Sequence, residues 1–359
     1  MGLLRFWLAL AVVAAHSGGT LGVGGRAAVT MFYIISGYLM ALVLNEIYPN
    51  RTLAFYTNRV LRIFVPAFAV GILMLFAFVL FSVPLPFASA RGWFGVLSVV
   101  TSVTIVGQDL TWLFAADHDN NLVWQPVHHP GAAIPLFTYQ YNLPLFTVAI
   151  ELYFYAMAPF IVRQYERVVA FAIIGFLWHL MAKVFGFYSL AYNYHFWPAS
   201  WFYFGSGALC YWMYKEQTQS NSGGWAALLP ATPRARASMW LFVLFGLGLI
   251  GVRAYGWPSG YIVCVLTLPY LLAWSNRHPF DAYIGKYSYP LYLVHWPVLT
   301  ILHATSPAIQ PGWTQFFVVT SISLVLAAVI HHGLEIPLDK LREKVRAAPL
   351  PNSSLMPIA

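Results

Sequence analysis

Long apolar runs recur along the whole chain, and this feature limits the possible folds more than any other. A helix needs roughly 20 apolar residues to cross a bilayer, and a lipid-embedded backbone must satisfy its own hydrogen bonds. A β-barrel strand would instead show about ten residues of alternating polarity. The sequence therefore predicts an all-α fold, a polytopic membrane helical bundle. The runs lie near residues 4–22, 27–46, 61–83, 93–114, 143–162, 168–187, 197–214, 238–253, 259–275, 283–304 and 314–334.

The composition agrees with a membrane location. Only 8% of the 359 residues are charged and 60% are hydrophobic, whereas a soluble domain has about 25% charged residues. So few charges cannot cover a water-facing surface, and the same composition excludes a disordered chain, a coiled coil and a disulfide scaffold. The net charge of +8 does not indicate nucleic acid as a partner, because basic residues of membrane proteins collect in cytoplasmic loops.

The positions of the 19 Lys and Arg residues indicate how many of the eleven runs cross the membrane. If the N-terminus is cytoplasmic and 93–114 does not cross, fifteen of them lie on the inner side and four outside. If 93–114 crosses, this asymmetry reverses, contrary to the positive-inside rule. The loop 115–142 contains no Lys or Arg, which suits an outer face. We therefore predict about ten transmembrane helices, both termini cytoplasmic, and a re-entrant or interfacial segment at 93–114.

The rest of the chain indicates a single folded unit. Residues 1–346 are predicted to form one integral-membrane domain, and 347–359 a flexible tail. Residues 216–237 are a polar linker on the inner side. Cys210 and Cys264 stand inside apolar runs, where a free thiol behaves as a small buried hydrophobe.

The outer loop contains a group of residues that could be taken for metal ligands. Asp117, Asp119, His128 and His129 lie there, but no cysteine or HExxH-type spacing accompanies them. We interpret them as solvated loop residues and expect no metal site.

Ionisable residues within the apolar runs indicate a lined cavity, because such groups are costly in lipid and usually face a bundle interior. Arg5 and His16 are eleven residues apart, so they share one helix face about 16 Å apart in depth. Histidine exchanges protons readily near neutral pH. The alternative is a snorkelling Arg5 and an interfacial His16 without a chemical role.

Two further groups of polar residues lie at membrane depth. Arg59 and Arg62 are three residues apart and face the same way; they suit phosphate groups, or serve only as positive-inside anchors. Glu151, with Tyr155 one turn later, stands in the middle of an apolar run. A carboxyl group buried there must be stabilised by an arginine or a histidine, or be protonated. Glu151 therefore has either a functional role or a place in a structural ion pair.

The last two runs carry polar residues at helical spacing. Ser288, Tyr292 and His295 follow the i, i+4, i+7 pattern and line one face, with Tyr289 beside it. In the final run, His331 and Glu335 are one turn apart, and Pro337 is predicted to end the helix.

Taken in order, these residues resemble the motifs of acyltransferase family 3, integral-membrane O-acyltransferases that modify bacterial surface and secreted glycans. The resemblance extends over residues 5–337. Members often have Trp-Ser shortly before the glutamate motif, whereas this chain has Phe146-Thr147, so a direct role for the Thr147 hydroxyl is not expected. The motifs are RFWLALAVVAAH (5–16), VTMFYIISGYL (29–39), FYTNRVLRIFVPAF (55–68), FTVAIELYFYAMAPF (146–160), FWPASWFYFGSGAL (196–209), GKYSYPLYLVHWPV (285–298) and LEIP (334–337).

The resemblance implies an enzyme of the bacterial cytoplasmic (inner) membrane. It would move an acyl group, most often acetyl, from cytoplasmic acyl-CoA to a hydroxyl of a polysaccharide or glycolipid such as lipopolysaccharide or exopolysaccharide. The donor would be acetyl-CoA or another acyl-CoA, with no metal, and the partners are the bilayer and a glycan or lipid-linked saccharide. The first run is not expected to be cleaved as a signal peptide, because cleavage would remove Arg5 and with it the first motif.

The reaction assigns roles to the candidate residues. His16 would act as base or nucleophile, and Arg5, Tyr292 or Ser288 would stabilise the oxyanion. Glu151 would orient His16 or offset an arginine. The residues expected to bind the CoA phosphates are Arg59 and Arg62. The residues expected to line the cavity are Ser36, Tyr155, Ser288, Tyr289, Tyr292, His295 and Glu335.

A different class of protein would also explain intramembrane polar residues. In a polytopic transporter or flippase they would line a substrate path. Transporters often show inverted repeats and paired broken helices, and no fixed-period repeat is present in this sequence.

Overall fold

The computed structural model describes residues 1–90, 92–125, 133–187, 189–219, 232–251, 258–275 and 278–347. Each of the eleven apolar runs contains a helix, which confirms the predicted helical membrane fold. The helices are α1 (Gly2–His16), α2 (Gly25–Leu42), α3 (Thr52–Arg59), α4 (Val65–Leu80), α5 (Trp93–Thr104), α6 (Phe146–Ile161), α7 (Tyr165–Val184), α8 (Trp197–Gln219), α9 (Pro233–Gly251), α10 (Pro258–Ser275), α11 (Pro279–Gly285), α12 (Ser288–Thr305), α13 (Trp313–Ile330) and α14 (Ile336–Ala347).

Five helical stretches of the described chain are long and apolar enough to cross a membrane. Apolar helices α1 and α5 are shorter. The 12 residues of α5 extend about 18 Å and the 15 residues of α1 about 22 Å, both less than the roughly 30 Å hydrocarbon core. The count of ten spans and the cytoplasmic termini stay predictions. The five stretches are Gly25–Ile47, Thr52–Leu80, Leu143–Ile161, Tyr165–Val184 and Trp313–Ala347.

Several of these stretches are extended by wide π-helical turns. Val60–Phe64 joins α3 to α4, and His331–Glu335 joins α13 to α14. The predicted helix end at Pro337 is therefore wrong, because the helix continues to Ala347. Pro337 occupies the first turn of α14, where a helix tolerates a residue that lacks an amide hydrogen.

The loop after α5 contains a small sheet that the all-α prediction did not include. Its strands are β1 (Phe114–Ala116), β2 (Leu122–Trp124) and β3 (Ile134–Pro135), with β1 in the centre and antiparallel to both neighbours. In the turn between β1 and β2, the Asn121 amide donates a hydrogen bond to Asp117 (2.7 Å) and lowers the pKa of that carboxyl. Asp117 thus stabilises an exposed turn. His128 and His129 lie outside the described residues.

Two smaller expectations concern the linker and the cysteines. The polar segment predicted at 216–237 begins as the last turn of α8 and ends as the first turns of α9, and the residues between lie outside the description. Cys210 and Cys264 are buried free thiols, as predicted, and Cys210 Sγ donates to the Val265 carbonyl (2.9 Å).

Glycines allow α8 to pack closely against both α2 and α7. A Cβ on Gly207 would lie 1.9 Å from the Ile34 carbonyl oxygen, and one on Gly37 would lie 2.0 Å from that of Phe204. On the other side of α8, a Cβ on Gly175 would lie 2.2 Å from the Phe202 amide. Small residues at helix contacts are the usual means of close association in membranes. This packing fixes the position of α2, which forms part of the site.

Helix α1 is held at its first turn by a side chain from α11. The Asp281 carboxylate accepts hydrogen bonds from the amides of Gly2 (2.7 Å) and Leu3 (2.8 Å), and Asp281 is 1% exposed. These amides have no acceptor within the helix itself. The contact therefore fixes the depth of Arg5 and His16 in the bundle.

We expect Gly207→Ala to destabilise the protein, because the new methyl group would overlap the α2 backbone. Overpacking of this kind costs about 1–3 kcal/mol, which would lower the thermal unfolding midpoint of the purified protein by several degrees. Gly333→Ala is the control, since a Cβ there meets nothing within 4 Å. Equal melting of the two variants would contradict the close contact between α2 and α8.

Candidate active site

The polar residues of the bundle line three cavities in a row. The first chamber, about 890 Å³, opens beside His16. A narrow channel of about 120 Å³ contains Glu151. The vestibule, about 350 Å³, lies against α14. The channel is lined by Arg5, Val29, Phe32, Tyr33, Ile35, Ser36, Leu39, Met40, Val43, Arg59, Arg62, Ile63, Thr147, Val148, Glu151, Tyr155, Ser288, Tyr289 and Tyr292.

Shared wall residues show that the three cavities are adjacent. Thr147 and Tyr292 line both the first chamber and the channel. Arg5, Arg62 and Tyr289 line both the channel and the vestibule. The three cavities therefore form a row, here called the path, from the chamber of His16 to the vestibule beside α14.

His16 is hydrogen-bonded to a second histidine. Its Nδ1 lies 3.0 Å from Nε2 of His295, and the two rings are nearly parallel. His295 is fully buried, and its Nδ1 lies 2.7 Å from the Tyr292 carbonyl oxygen. A carbonyl can only accept, so Nδ1 of His295 carries the proton and Nε2 of the neutral ring is an acceptor.

This arrangement determines the tautomer of His16. Because Nε2 of His295 accepts, Nδ1 of His16 must donate to it, and Nε2 of the neutral His16 carries the lone pair. Trp296 packs edge-on against the His16 ring at 5.0 Å and limits its rotation. His16 is thus held in one orientation with a basic nitrogen, and its ring lines the first chamber.

Aromatic rings form much of the first chamber. Trp112 stacks on His195 with ring centroids 3.7 Å apart and on Phe137 at 3.9 Å. Phe146 meets His195 edge-on. Trp112 is thus stacked between two rings, and these aromatic contacts fix the chamber wall. Arg26 also lines the chamber. The chamber is lined by Val12, Ala15, His16, residues 22–27, Val29, Trp112, Leu143, Pro144, Phe146, Thr147, Tyr194, His195, Tyr292 and Trp296.

A buried carboxyl group supports the loop that carries Trp112. Tyr153 donates a hydrogen bond to Asp109 (3.0 Å), and the Gly107 amide donates to the same tyrosine oxygen (2.8 Å). Burial raises the pKa of Asp109 to about 6. These bonds attach the loop to α6, so the chamber wall and the glutamate helix move as one unit.

Two hydroxyl groups stand where the first chamber meets the channel. Thr147 Oγ1 and the Tyr292 hydroxyl lie 2.6 Å apart. Both also lie within hydrogen-bond distance of the Pro144 carbonyl oxygen, at 3.0 Å and 2.8 Å. Because both hydroxyls can donate to the Pro144 carbonyl, one of them can keep this hydrogen bond while the other donates to a different acceptor.

Glu151 lies inside the channel and is bound by neighbouring hydroxyls. Ser36 and Tyr155 both donate hydrogen bonds to its carboxylate, and its charge also interacts favourably with that of Arg5. Glu151 and His16 line different cavities. The partner that orients His16 in the structure is His295.

Three arginines gather at the other end of the channel. Arg59 is 7% exposed and lies over the rings of Phe55 (5.7 Å) and Tyr155 (5.9 Å). Arg5 and Arg62 extend into the vestibule. Their charges repel one another, so this end of the path favours an anion.

The remaining predicted residues also border the path. Tyr289 donates to the Ile63 carbonyl (2.8 Å) and Ser288 to that of Gly285 (2.7 Å). Glu335 lines the vestibule and is hydrogen-bonded to His331 (2.8 Å). Within the described ranges, no three His, Cys, Asp or Glu side chains form a group that could hold a metal ion.

Arg5 and His16 share a helix and line cavities at opposite ends of the path, in line with the separation expected from their spacing. Thr147, for which no direct role was expected, lies at the junction.

Sequence reasoning missed three residues of the cavity walls. Trp112 and His195 end short helical turns, and Arg342 lies beyond the last motif. Only tertiary contacts identify these residues.

Comparison with known proteins gives the chain its family. The model of acyltransferase family 3, described as an acyltransferase domain, matches residues 1–332. Neither the curated proteins nor the solved structures provide a match. Because the match covers nearly the whole chain and the fold is a helical membrane bundle, the protein belongs to acyltransferase family 3 and is a membrane acyltransferase.

Proposed function

We propose that the protein is an O-acyltransferase of the bacterial inner membrane that moves an acyl group, typically acetyl, from cytoplasmic acyl-CoA to a glycan hydroxyl on the opposite side. The observation that carries this proposal is the row of adjacent cavities between the arginine cluster and the chamber of His16. Cavities in such a row would allow two substrates to reach one reaction centre from opposite ends.

The charges along the path support the assignment of sides. The vestibule is lined by Lys286, Arg342 and Arg346 as well as Arg5 and Arg62, and basic residues mark the cytoplasmic face. The first chamber adjoins the loop 115–142, which has no Lys or Arg. The donor therefore enters through the vestibule, and the acceptor through the first chamber.

The channel dimensions suit the donor. Ligand pockets in proteins typically have volumes of about 300–1,000 Å³, so a channel of about 120 Å³ holds only part of a ligand, and we assign it to the thioester end of the donor. With its phosphates held by the arginines, the donor would extend this end past Glu151 to the junction at Tyr292. The small volume of the channel disfavours the transporter alternative, in which the whole glycan would have to pass.

The chamber supports an acceptor with flat apolar faces and many hydroxyls. Its volume of about 890 Å³ accommodates more than one sugar ring, and its lining includes the aromatic side chains of Phe146, Tyr194 and Trp296. Arg26 also lines it and would suit an acidic group on the glycan. A polysaccharide or lipid-linked saccharide fits these features.

The chemistry follows from the tautomer of His16. Nε2 removes the proton from the acceptor hydroxyl as its oxygen attacks the thioester carbonyl carbon. The tetrahedral intermediate collapses, the carbon–sulfur bond breaks, and the leaving thiolate takes the proton back from His16. His295 accepts the Nδ1 hydrogen bond throughout and positions the ring. The products are an ester and free CoA.

The oxyanion formed in this step needs a hydrogen-bond donor near the junction. The Tyr292 hydroxyl can turn to it, because Thr147 can replace Tyr292 at the Pro144 carbonyl. The sequence also suggested Arg5 for this role. Arg5 lines the far end of the path, where it is better placed to bind the acyl donor.

We expect His16→Ala to abolish glycan acylation without preventing membrane insertion. General-base catalysis is typically worth 10²–10⁴-fold, so acetyl content of the envelope polysaccharides, measured by mass spectrometry in a complemented deletion strain, should fall to background. His332→Ala, which removes an exposed histidine, should retain wild-type acetylation. Normal acetylation by an inserted His16→Ala protein would exclude the proposed base.

His295→Ala should lower kcat for acyl transfer by about tenfold or more while leaving KM nearly unchanged, because the imidazole of His16 loses its orienting acceptor. The acid limb of the pH–rate profile should shift as well. His295→Gln, whose amide oxygen can accept from Nδ1, should restore part of the rate. His179→Gln alters another buried histidine that binds a backbone carbonyl and serves as the control. An unchanged profile in His295→Ala would contradict the positioning role.

Arg62→Ala should raise KM for acetyl-CoA more than it lowers kcat. Hydrogen bonds to charged groups contribute about 1.5–3 kcal/mol, which corresponds to roughly a 10–100-fold change in KM. Steady-state transfer of labelled acetyl groups by purified protein measures the effect. Arg167→Ala, on the exposed surface of α7, is the matched control. If both variants have wild-type KM, the arginine cluster does not bind the donor.

A further inference from the structure

Helix α14 forms one wall of the vestibule, although it lies beyond residues 1–332 that match the family. It packs against α3 and the π-helical turn that follows α3. The guanidinium of Arg51 donates to the carbonyls of Arg346 (2.7 Å) and Val345 (3.1 Å), which fixes its C-terminal turn. The helix is therefore a built part of the vestibule.

Helix α14 adds positive charge to the vestibule beside the arginine cluster. Arg342 and Arg62 line the same cavity, and their two charges repel each other. The charge of Arg342 also repels that of Arg59. Bringing guanidinium groups together is unfavourable unless an anion joins them, so the arrangement indicates an anion site.

The vestibule lining keeps an excess of positive charge. Three acidic residues, Glu335, Asp339 and Glu343, line it together with five basic ones. Glu335 is hydrogen-bonded to His331, and Asp339 forms an ion pair with Arg342 one turn away on α14. This pair orients the Arg342 guanidinium, which lines the vestibule beside Arg62.

We infer that Arg342 on α14, together with Arg62, binds a phosphate group of the acyl donor and so extends the donor site beyond the family motifs. The inference rests on the proposed function. Two guanidinium groups that line one cavity can both donate hydrogen bonds to the oxygens of a single phosphate group. The vestibule, at about 350 Å³, has room for the phosphorylated end of the donor. A lipid headgroup offers the same phosphate chemistry, so the experiment must separate the two sources.

The test measures CoA binding by isothermal titration calorimetry to the full-length protein in phosphatidylcholine nanodiscs. Arg342→Gln should weaken binding about tenfold or more, because it removes the charge but keeps a similar length, and Arg342→Lys should weaken it less. The controls Lys340→Ala and Lys344→Ala remove the same charge from exposed positions of the same helix and should stay within about twofold of wild type. Thermal unfolding of each variant checks that α14 remains folded.

The outcomes distinguish this inference from the proposed function. If the wild-type protein does not bind CoA, both fail. If Arg62→Ala weakens binding but Arg342→Gln does not, only the role of α14 fails. A second series uses nanodiscs that contain phosphatidylglycerol: if Arg342→Gln alters binding of that lipid and leaves CoA binding in phosphatidylcholine unchanged, the phosphate belongs to a lipid and the inference is overturned.

Discussion

The cost of placing charge inside an apolar bundle is the constraint on which the rest of this structure depends. Three arginines and a glutamate line one channel of an apolar bundle, in a chain with 8% charged residues. Such groups persist in a membrane protein only if they face one another or a wet cavity. The glycine contacts of α8 fix the position of α2, and α2 forms one wall of that channel. The site of the channel therefore follows from the distribution of charge and from the packing of α2.

The histidine pair shows how the bundle gives a reactive group a defined state without a carboxylate. In many sites a carboxylate fixes the tautomer of a catalytic histidine. Here the Tyr292 carbonyl fixes His295, and His295 fixes His16. A neutral partner adds no negative charge to a lipid-embedded core, where an unpaired carboxylate would be costly. Glu151 is correspondingly engaged elsewhere, with Ser36 and Tyr155.

Helical periodicity made part of this site predictable. The spacing of Ser288 and Tyr292 placed both on one face, and the structure has both on the channel wall. The partnership of His16 and His295 could not be read from spacing, because 279 positions separate them along the chain. Motif comparison likewise undervalued Thr147, whose position at the junction depends on the depth of α6 relative to α12. The sheet β1–β3 and the turn at Pro337 depend on local backbone geometry that hydropathy does not record.

The length of α1 reconciles two demands that would otherwise conflict. A donor rich in phosphate needs several guanidinium groups, whereas a base must become positively charged when it takes a proton. Two like charges 4 Å apart repel by about 4 kcal/mol at an effective dielectric constant of 20, but by only about 1 kcal/mol at 16 Å. Eleven residues of helix separate Arg5 from His16 by about 16 Å. In the proposed mechanism, the arginines would therefore bind the donor phosphates without strongly opposing protonation of His16.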